Sequence, residues 1–203
     1  MQPFVTVTGI AASLPRANVD TDQIMPKQFL KGIDRSGLAE GFLFDLRFLA
    51  PGAPRTDFVL NRAPWNEARF LVVGPNFGCG SSREHAVWGM AQLGIRAVIG
   101  TNFGGIFYDN CLRNGVPALL LPASDVATLM MLANDPKRCT LTVDLPAQTI
   151  VSPATGECVS FSFDPNHKDM LVRGVSAVDA TLEHAGTIRS FELDYYRNNS
   201  WLA

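Results

Sequence analysis

The sequence predicts an α/β domain with a mainly parallel sheet. Between residues 68 and 135, apolar strand-like runs alternate with segments of helical periodicity, a pattern typical of βαβ units. Of the 203 residues, 47% are hydrophobic, which is enough for a sizeable core. The formal net charge is -2, and the chain has neither a basic block nor a run of roughly 18 apolar residues. We therefore expect no nucleic acid partner, no membrane span and a cytoplasmic location.

The N-terminal third predicts one strand followed by less regular structure. Residues 4–15 predict a strand, and residues 17–32 predict a polar turn and a short helix that Pro26 interrupts. Residues 31–68 predict a long irregular region rich in Gly, Pro and Arg, whose apolar patch GFLFDLRFL (residues 41–49) argues against disorder. A long loop of this kind is usually functional, so we expect it to contact substrate or a partner.

The regular part of the chain begins at residue 68. It predicts strands over 69–73, 96–100 and 117–122, and helices over 82–94, 105–115 and 124–135. Residues 139–163 predict two or three antiparallel strands. The C-terminal element, residues 164–203, predicts two helices, and the whole chain, 1–203, is predicted as a single domain.

Polar chemistry is concentrated between the first regular strand and its helix, in NFGCGSSREHA (Asn76–Ala86). Gly80 allows the backbone to approach a ligand closely, and Ser81 with Glu84 fits a capping box. The amide groups at a helix N-terminus favour an anion, and Arg83 adds a planar cation suited to a carboxylate. The motif predicts an anion site, with a purely structural cap as the alternative for Ser81.

Three common motifs do not fit this turn. A Walker loop needs a lysine directly after Gly80, and a dinucleotide fingerprint needs a glycine where Arg83 stands. A nucleophile elbow needs a glycine at the position of Glu84. Nucleotide-binding and hydrolase functions are therefore disfavoured.

The cysteines predict neither a disulfide framework nor a metal site. Cys79, Cys111, Cys139 and Cys158 lie far apart and form no CxxC pair. We expect four free thiols and no metal bound by this chain.

The motif at 76–86 and the stretch NVDTDQIMPKQFL (residues 18–30) together resemble the small subunits of 3-isopropylmalate dehydratase, in the aconitase superfamily. The segments FLFDLRFL, DFVLN and RAVIGTNFGGIFYDNCLRNGVPALLL follow in the expected order, so the resemblance covers nearly the whole chain. It implies an aconitase-type swivelling domain, a three-layer β/β/α fold with a partly parallel sheet and C-terminal helices.

The resemblance also implies an activity. Such enzymes are hydro-lyases that isomerise (2S)-2-isopropylmalate to (2R,3S)-3-isopropylmalate by dehydration and rehydration in leucine biosynthesis. They act only with a large subunit, which carries a four-iron, four-sulfur cluster; no cofactor is assigned to the small chain. The resemblance assigns Ser81 the role of an alkoxide base, and Arg83 the stabilisation of that oxyanion or of a substrate carboxylate. Ser82 and Gly80 would contact the dicarboxylate substrate.

The remaining candidates have supporting roles. Asp20 and Asp22 are assigned to orienting other groups, with turn and helix-cap roles as the alternative. Arg35 is the nearest candidate for a further substrate arginine, and His85 is expected to pack or to hydrogen-bond. The apolar wall that the isopropyl group needs is placed in residues 28–49.

Two other functions remain open on the sequence. The chain could be the small subunit for another alkylmalate, such as citramalate or dimethylmalate, in which case the volume of the apolar region would differ. It could also be a binding or assembly module that holds an anion at the Ser-Arg turn without catalysis.

Overall fold

The alternating segments form the strands and helices that their periodicity predicts. The computed structural model describes residues 1–31 and 35–202. Within those residues the strands are β1 (Thr6–Leu14), β2 (Phe48–Ala50), β3 (Ala53–Pro54), β4 (Ala68–Val73), β5 (Ala97–Gly100), β6 (Ala118–Leu120), β7 (Thr140–Asp144), β8 (Thr149–Val151) and β9 (Cys158–Ser160). The α-helices are α1 (Thr21–Ile24), α2 (Phe44–Arg47), α3 (His85–Gln92), α4 (Gly105–Arg113), α5 (Ala123–Ala133), α6 (Pro165–Arg173), α7 (Ala177–Leu182) and α8 (Ala185–Asn198).

Seven strands form one mixed sheet in the order β6-β5-β4-β1-β7-β8-β9. Strand β1 is central, because it pairs in parallel with β4 on one side and antiparallel with β7 on the other. The parallel half consists of β1, β4, β5 and β6, and the three strands predicted over 139–163 form the antiparallel half. The predicted α/β class with a partly parallel sheet and C-terminal helices is confirmed.

Sequence and burial agree strand by strand. Strand β4 is apolar throughout its second half because both faces of the sheet are covered there: Leu71 and Val73 belong to one core cluster, Phe70 and Val72 to the other. Helices α3 and α4 pack on the first face, while α5 and α6 pack on the second. Strand β7 alternates polar and buried residues, because its polar face is only partly covered.

The region 31–68 is more regular than predicted. Over residues 35–68 it contains α2, the β2–β3 hairpin and two 3₁₀ turns, Val59–Asn61 and Trp65–Glu67. The apolar patch 41–49 is divided, because Phe42 and Leu43 are fully buried whereas Leu49 is 70% exposed. The expectation of an irregular region is therefore only partly right for the described part, because short elements stand among turns; residues 32–34 lie outside it. Burial of scattered apolar side chains orders this segment, and no local periodicity signals that burial.

The C-terminal element contains three α-helices instead of the predicted two. Gly174 ends α6 in a left-handed conformation, with φ +71°. Ser176 and Asp179 then form a capping box that starts α7, and a break at His184 separates α7 from α8. The polar caps were present in the sequence, but the apolar spacing alone did not resolve the breaks.

Candidate active site

Three loops that follow parallel strands meet at one edge of the sheet. The loop after β1 continues alongside the loop after β4: the Gly78 amide donates to the Val19 carbonyl at 2.8 Å, and the Thr21 amide donates to the Cys79 carbonyl at 2.9 Å. Phe77 forms a further parallel bridge to Phe103, in the loop after β5. Ligands of open α/β sheets bind at this carboxyl edge. The structure thus brings together the two sequence motifs, 18–30 and 76–86.

Thr21 anchors the serine turn. Its side chain is 2% exposed, and its hydroxyl donates to the Ser81 carbonyl at 2.8 Å. The Ser81 and Ser82 side chains themselves are exposed. The turn is therefore anchored through its backbone, while both serines are accessible to a ligand.

Glycines are required where this turn crosses the neighbouring helix. Gly78 has φ +75°, and a Cβ there would lie 2.2 Å from Cγ of the buried Phe107 ring. Gly104 has no room for a side chain either, because its Cβ would lie 2.3 Å from the Gly78 carbonyl oxygen. Gly80 has φ +92°. Gly78 and Gly104 thus allow the turn after β4 to pack closely against the start of α4, and Gly78 and Gly80 allow its left-handed backbone conformations.

The predicted capping box at Ser81 is absent. Helix α3 begins at His85, so Ser81 lies outside it, and Glu84 occupies the N-cap position without a side-chain cap bond. The Glu84 Oε1 atom instead accepts a 2.8 Å hydrogen bond from Nδ2 of Asn114, at the C-terminus of α4. Neither the cap role nor the helix N-terminus argument therefore applies to Ser81 as predicted.

Arg83 forms an ion pair with Asp22 across the two motifs. Its side chain is 16% exposed, whereas the Asp22 side chain is 48% exposed. Only one guanidinium nitrogen is used in this pair, and an arginine offers five N–H donors. Asp22 is thus in a position to orient the Arg83 guanidinium. Asp20 has the alternative, structural role, because its Oδ1 accepts the Gln23 amide at 2.8 Å as the N-cap of α1.

Comparison with known proteins places the chain in a family. Residues 1–124 match the family described as the aconitase C-terminal domain. A protein named 3-isopropylmalate dehydratase small subunit 1, from Mannheimia succiniciproducens, is 52% identical over 202 residues, covering 100% of this chain and 99% of that protein. The chain belongs to the 3-isopropylmalate dehydratase small-subunit family. Another protein of that family, small subunit 2 of Salmonella typhimurium, is 47% identical, covering 100% of this chain and 96% of its own length.

A solved structure shows the same fold. The crystal structure of a 3-isopropylmalate dehydratase from Methanocaldococcus jannaschii superposes with a TM-score of 0.66 over 93% of this chain and 99% of that one, at 24% sequence identity. The aconitase-type fold implied by the resemblance is therefore confirmed. None of the helices in the described residues combines the length and the hydropathy that a membrane span requires.

Arg35 and His85 meet on one tryptophan of α3. The Arg35 guanidinium carbon lies 4.3 Å from the centre of the Trp88 ring, and the His85 ring lies 4.6 Å from the same ring. Trp88 Nε1 donates to Asn114 Oδ1 at 3.0 Å. His85 therefore packs, as expected. Arg35 is placed beside the first turn of α3 by a cation–π contact, which the family resemblance did not indicate.

Sequence reasoning missed three residues that shape this site: Thr21, Trp88 and Asn114. Thr21 lies between the two noted aspartates, so its position in NVDTDQI was an available signal. Asn114 lies in α4's terminal turn and contacts Glu84 and Trp88 only through the tertiary fold. No local pattern could have identified it.

A cleft of about 490 Å³ opens behind the two motifs. Its lining includes Val19 and Phe77 of the two motifs, together with Leu43 and Leu46 of the apolar patch. Charged residues, among them Arg16 and Arg55, also line it. Part of the region 28–49 therefore faces a cavity of ligand size, and part belongs to the core.

The four cysteines are free thiols, as predicted. Cys111 is buried in α4, and burial raises its pKa well above the usual range. Cys139 is also buried, which raises its pKa, whereas Cys158 is exposed on β9 and Cys79 is partly exposed. Among the residues described, no three His, Cys, Asp or Glu side chains are grouped to hold a metal ion.

Proposed function

We propose that this chain is the small subunit of a cytoplasmic 3-isopropylmalate dehydratase, which converts (2S)-2-isopropylmalate to (2R,3S)-3-isopropylmalate in leucine biosynthesis. The observation that supports it most directly is the junction of the two motifs. Thr21, Asp22, Ser81 and Arg83 are joined there by direct contacts. The chain is also 44–52% identical to several family members over essentially its full length.

The reaction defines what the site must supply. A proton leaves the carbon next to a carboxylate, and the hydroxyl leaves the adjacent carbon, so the products are the unsaturated acid and water. Rehydration with the opposite regiochemistry gives the isomer. These steps need a base near the acidic carbon and cations for two carboxylates. The exposed Ser81 hydroxyl is the proposed base, and the exposed Ser82 hydroxyl and the Gly80 backbone would contact the substrate.

Arg83 supplies the fixed positive charge beside that base. Its pairing with Asp22 holds the guanidinium in place and leaves further N–H groups for an alkoxide or a carboxylate. A serine hydroxyl is a very weak acid, so a neighbouring cation is needed to favour its anion. We propose that Arg83 has this role and that Arg35 provides a second carboxylate contact.

The family's four-iron, four-sulfur cluster does not fit the residues of this chain. Cys111 and Cys139 are buried in separate elements, and Cys158 lies on an exposed edge strand, so the thiols do not form a shared ligand set. We propose that the large partner subunit holds the cluster. When bound there, it would act as a Lewis acid toward the departing hydroxyl.

Reconstitution with the cognate large subunit tests the function. The assembled enzyme should interconvert the two isopropylmalates, followed by the ultraviolet absorbance of the unsaturated intermediate. Ser81→Ala should lower kcat by about 10²–10⁴-fold, as expected for loss of a general base. Because Ser81 caps no helix, the melting temperature should stay close to that of the wild type. Ser162→Ala, at another exposed serine, is the matched control.

The alternatives give different results in the same assay. Higher kcat/KM for citramalate or dimethylmalate would assign the chain to a related alkylmalate enzyme. A stable complex that turns over no alkylmalate would exclude both enzyme functions and favour the binding or assembly module. Normal turnover by the Ser81→Ala enzyme would place the base in the large subunit.

A further inference from the structure

The surface of the C-terminal arm, defined as residues 175–202, is unusually apolar. Among the described residues, nine of the fourteen large hydrophobic side chains that are exposed belong to this arm: Val178, Leu182, Ile188, Phe191, Leu193, Tyr195, Tyr196, Trp201 and Leu202. No residue of α7 or α8 is buried. A concentration of exposed apolar groups in one segment marks an interaction surface.

The arm begins with defined side-chain contacts. Arg173, at the end of α6, forms ion pairs with Asp169 and with Glu183 of the arm. The Ser176 hydroxyl accepts the Asp179 amide at 3.1 Å, while an Asp179 carboxylate oxygen accepts the Ser176 amide at 2.9 Å. The pair of Arg173 with Glu183 links the arm to the end of α6, and the capping box sets the residue at which α7 begins. Its apolar side chains therefore project from an ordered base.

One stripe of α8 has the spacing of a docking helix. Ile188, Phe191 and Tyr195 follow at intervals of three and four residues, which places them on one face. The Phe191 and Tyr195 rings stack with their centroids 5.7 Å apart. An isolated helix of 14 residues is only marginally stable in water. Cover for this face would stabilise the helix as well as remove its aromatic side chains from water.

We propose that the arm docks into an apolar groove of the large partner subunit through the stripe Ile188, Phe191 and Tyr195. This inference rests on the proposed function. The arm lies beyond residues 1–124, which match the aconitase C-terminal domain, but within the full-length match to proteins named as small subunits. It is thus shared with chains whose names describe them as parts of a larger enzyme.

The charge and size of the stripe favour this occupant. On α8, Arg189 and Arg197 balance Glu192 and Asp194, so the helix suits a neutral apolar groove more than a charged surface. The three side chains are about half exposed and can bury only about 300 Å² further, whereas a stable interface buries about 800 Å² per partner. A second copy held by this stripe alone would form an undersized interface. A large subunit that covers the sheet edge carrying Ser81, as the proposed function requires, would gain the stripe as an additional contact.

The test measures association with the purified large subunit by analytical ultracentrifugation, using the full-length chain. The double variant Phe191→Ala/Tyr195→Ala should raise the Kd by about 10- to 100-fold. Met131→Ala is the matched control, because Met131 in α5 is 66% exposed and Phe191 is 67% exposed. The control should leave the Kd within about twofold of the wild type. Both isolated variants should melt close to the wild-type temperature, because none of the three side chains is buried.

Two results would overturn the docking proposal. In one, the double variant binds the large subunit as tightly as the wild type does. In the other, the isolated wild-type chain forms a dimer that the double variant abolishes, while affinity for the large subunit is unchanged; the stripe would then pair with a second copy. Association is read without catalysis, so a wild-type complex that forms but does not turn over isopropylmalate refutes the proposed function and not the docking.

Discussion

The hydroxyl of Thr21 is expected to hold the turn that carries Ser81, the proposed base, in place. It donates to the Ser81 carbonyl at 2.8 Å from a side chain that is 2% exposed. Thr21→Val keeps the shape of the side chain and removes this single donor. The Ser81 carbonyl would then lose its hydrogen bond to Thr21, while the bond from the Thr21 amide to the Cys79 carbonyl would remain.

The effect on stability should be modest and the effect on turnover larger. A net hydrogen-bond contribution of about 0.5–1.5 kcal/mol corresponds to a decrease of about 1–6 °C in melting temperature for a chain of this size. Displacement of a reacting group by about 1 Å can reduce turnover by about 10²-fold. Thr21→Val should therefore lower kcat of the assembled enzyme by about 10- to 100-fold.

Thr21→Ser is the matched control. It retains the hydroxyl and loses one buried methyl group, which costs about 1 kcal/mol. The two variants should thus melt at similar temperatures, measured by calorimetry on the isolated chain. Steady-state assays of the assembled enzyme should separate them, with Thr21→Ser close to the wild-type kcat. Equal kcat for both variants would refute the idea that this hydrogen bond positions Ser81.

Three further expectations follow from individual contacts. Arg83→Lys keeps the charge but loses the planar donor geometry. The kcat/KM of the assembled enzyme should therefore fall by about 10²-fold, with little change in melting temperature. An unchanged kcat/KM would show that Arg83 is not part of the site. Gly78→Ala should lower the free energy of unfolding by about 2–5 kcal/mol, from its positive φ and the clash with a buried phenylalanine ring. Gly52→Ala, with φ +77° and open space around it, should show only the φ cost in the same denaturant titration; equal losses would contradict the clash. In the native chain a thiol reagent should label Cys158 rapidly and Cys111 only after unfolding, because burial shields the Cys111 thiol and raises its pKa. Mass spectrometry measures the labelling, and rapid labelling of Cys111 in the native chain would contradict its burial.

Local periodicity was sufficient for much of the fold. Strand β4, helix α3 and strand β5 were predicted because each has its own pattern of apolar residues within a short window. The antiparallel strands over 139–163 were predicted for the same reason, with turns between them. The short helix, hairpin and 3₁₀ turns of residues 35–68 were not predicted. Phe42 and Leu43 are buried there, in short segments without a repeating apolar pattern, and contact with the core orders them.

The candidate site was predicted in composition but not in geometry. Ser81, Arg83 and Asp22 were identified from their motifs, and the expected orienting role of Asp22 matches its ion pair with Arg83. The predicted capping box failed because Glu84 bonds to Asn114 from another helix. A capping rule considers only neighbours along the chain, so it could not anticipate this competing partner.

The sequence by itself determined the alternation of strands and helices and the two motifs whose residues indicate the chemistry. Only the tertiary structure decided that those motifs form one site. Helix α1, which carries Asp22, and the loop that carries Arg83 are adjacent because β1 and β4 pair in parallel. The register runs from Ile10 opposite Ala68 to Leu14 opposite Val73. Such pairing joins residues nearly sixty positions apart, so its free energy depends on burial and hydrogen bonding across the whole sheet. No short window of sequence contains that information.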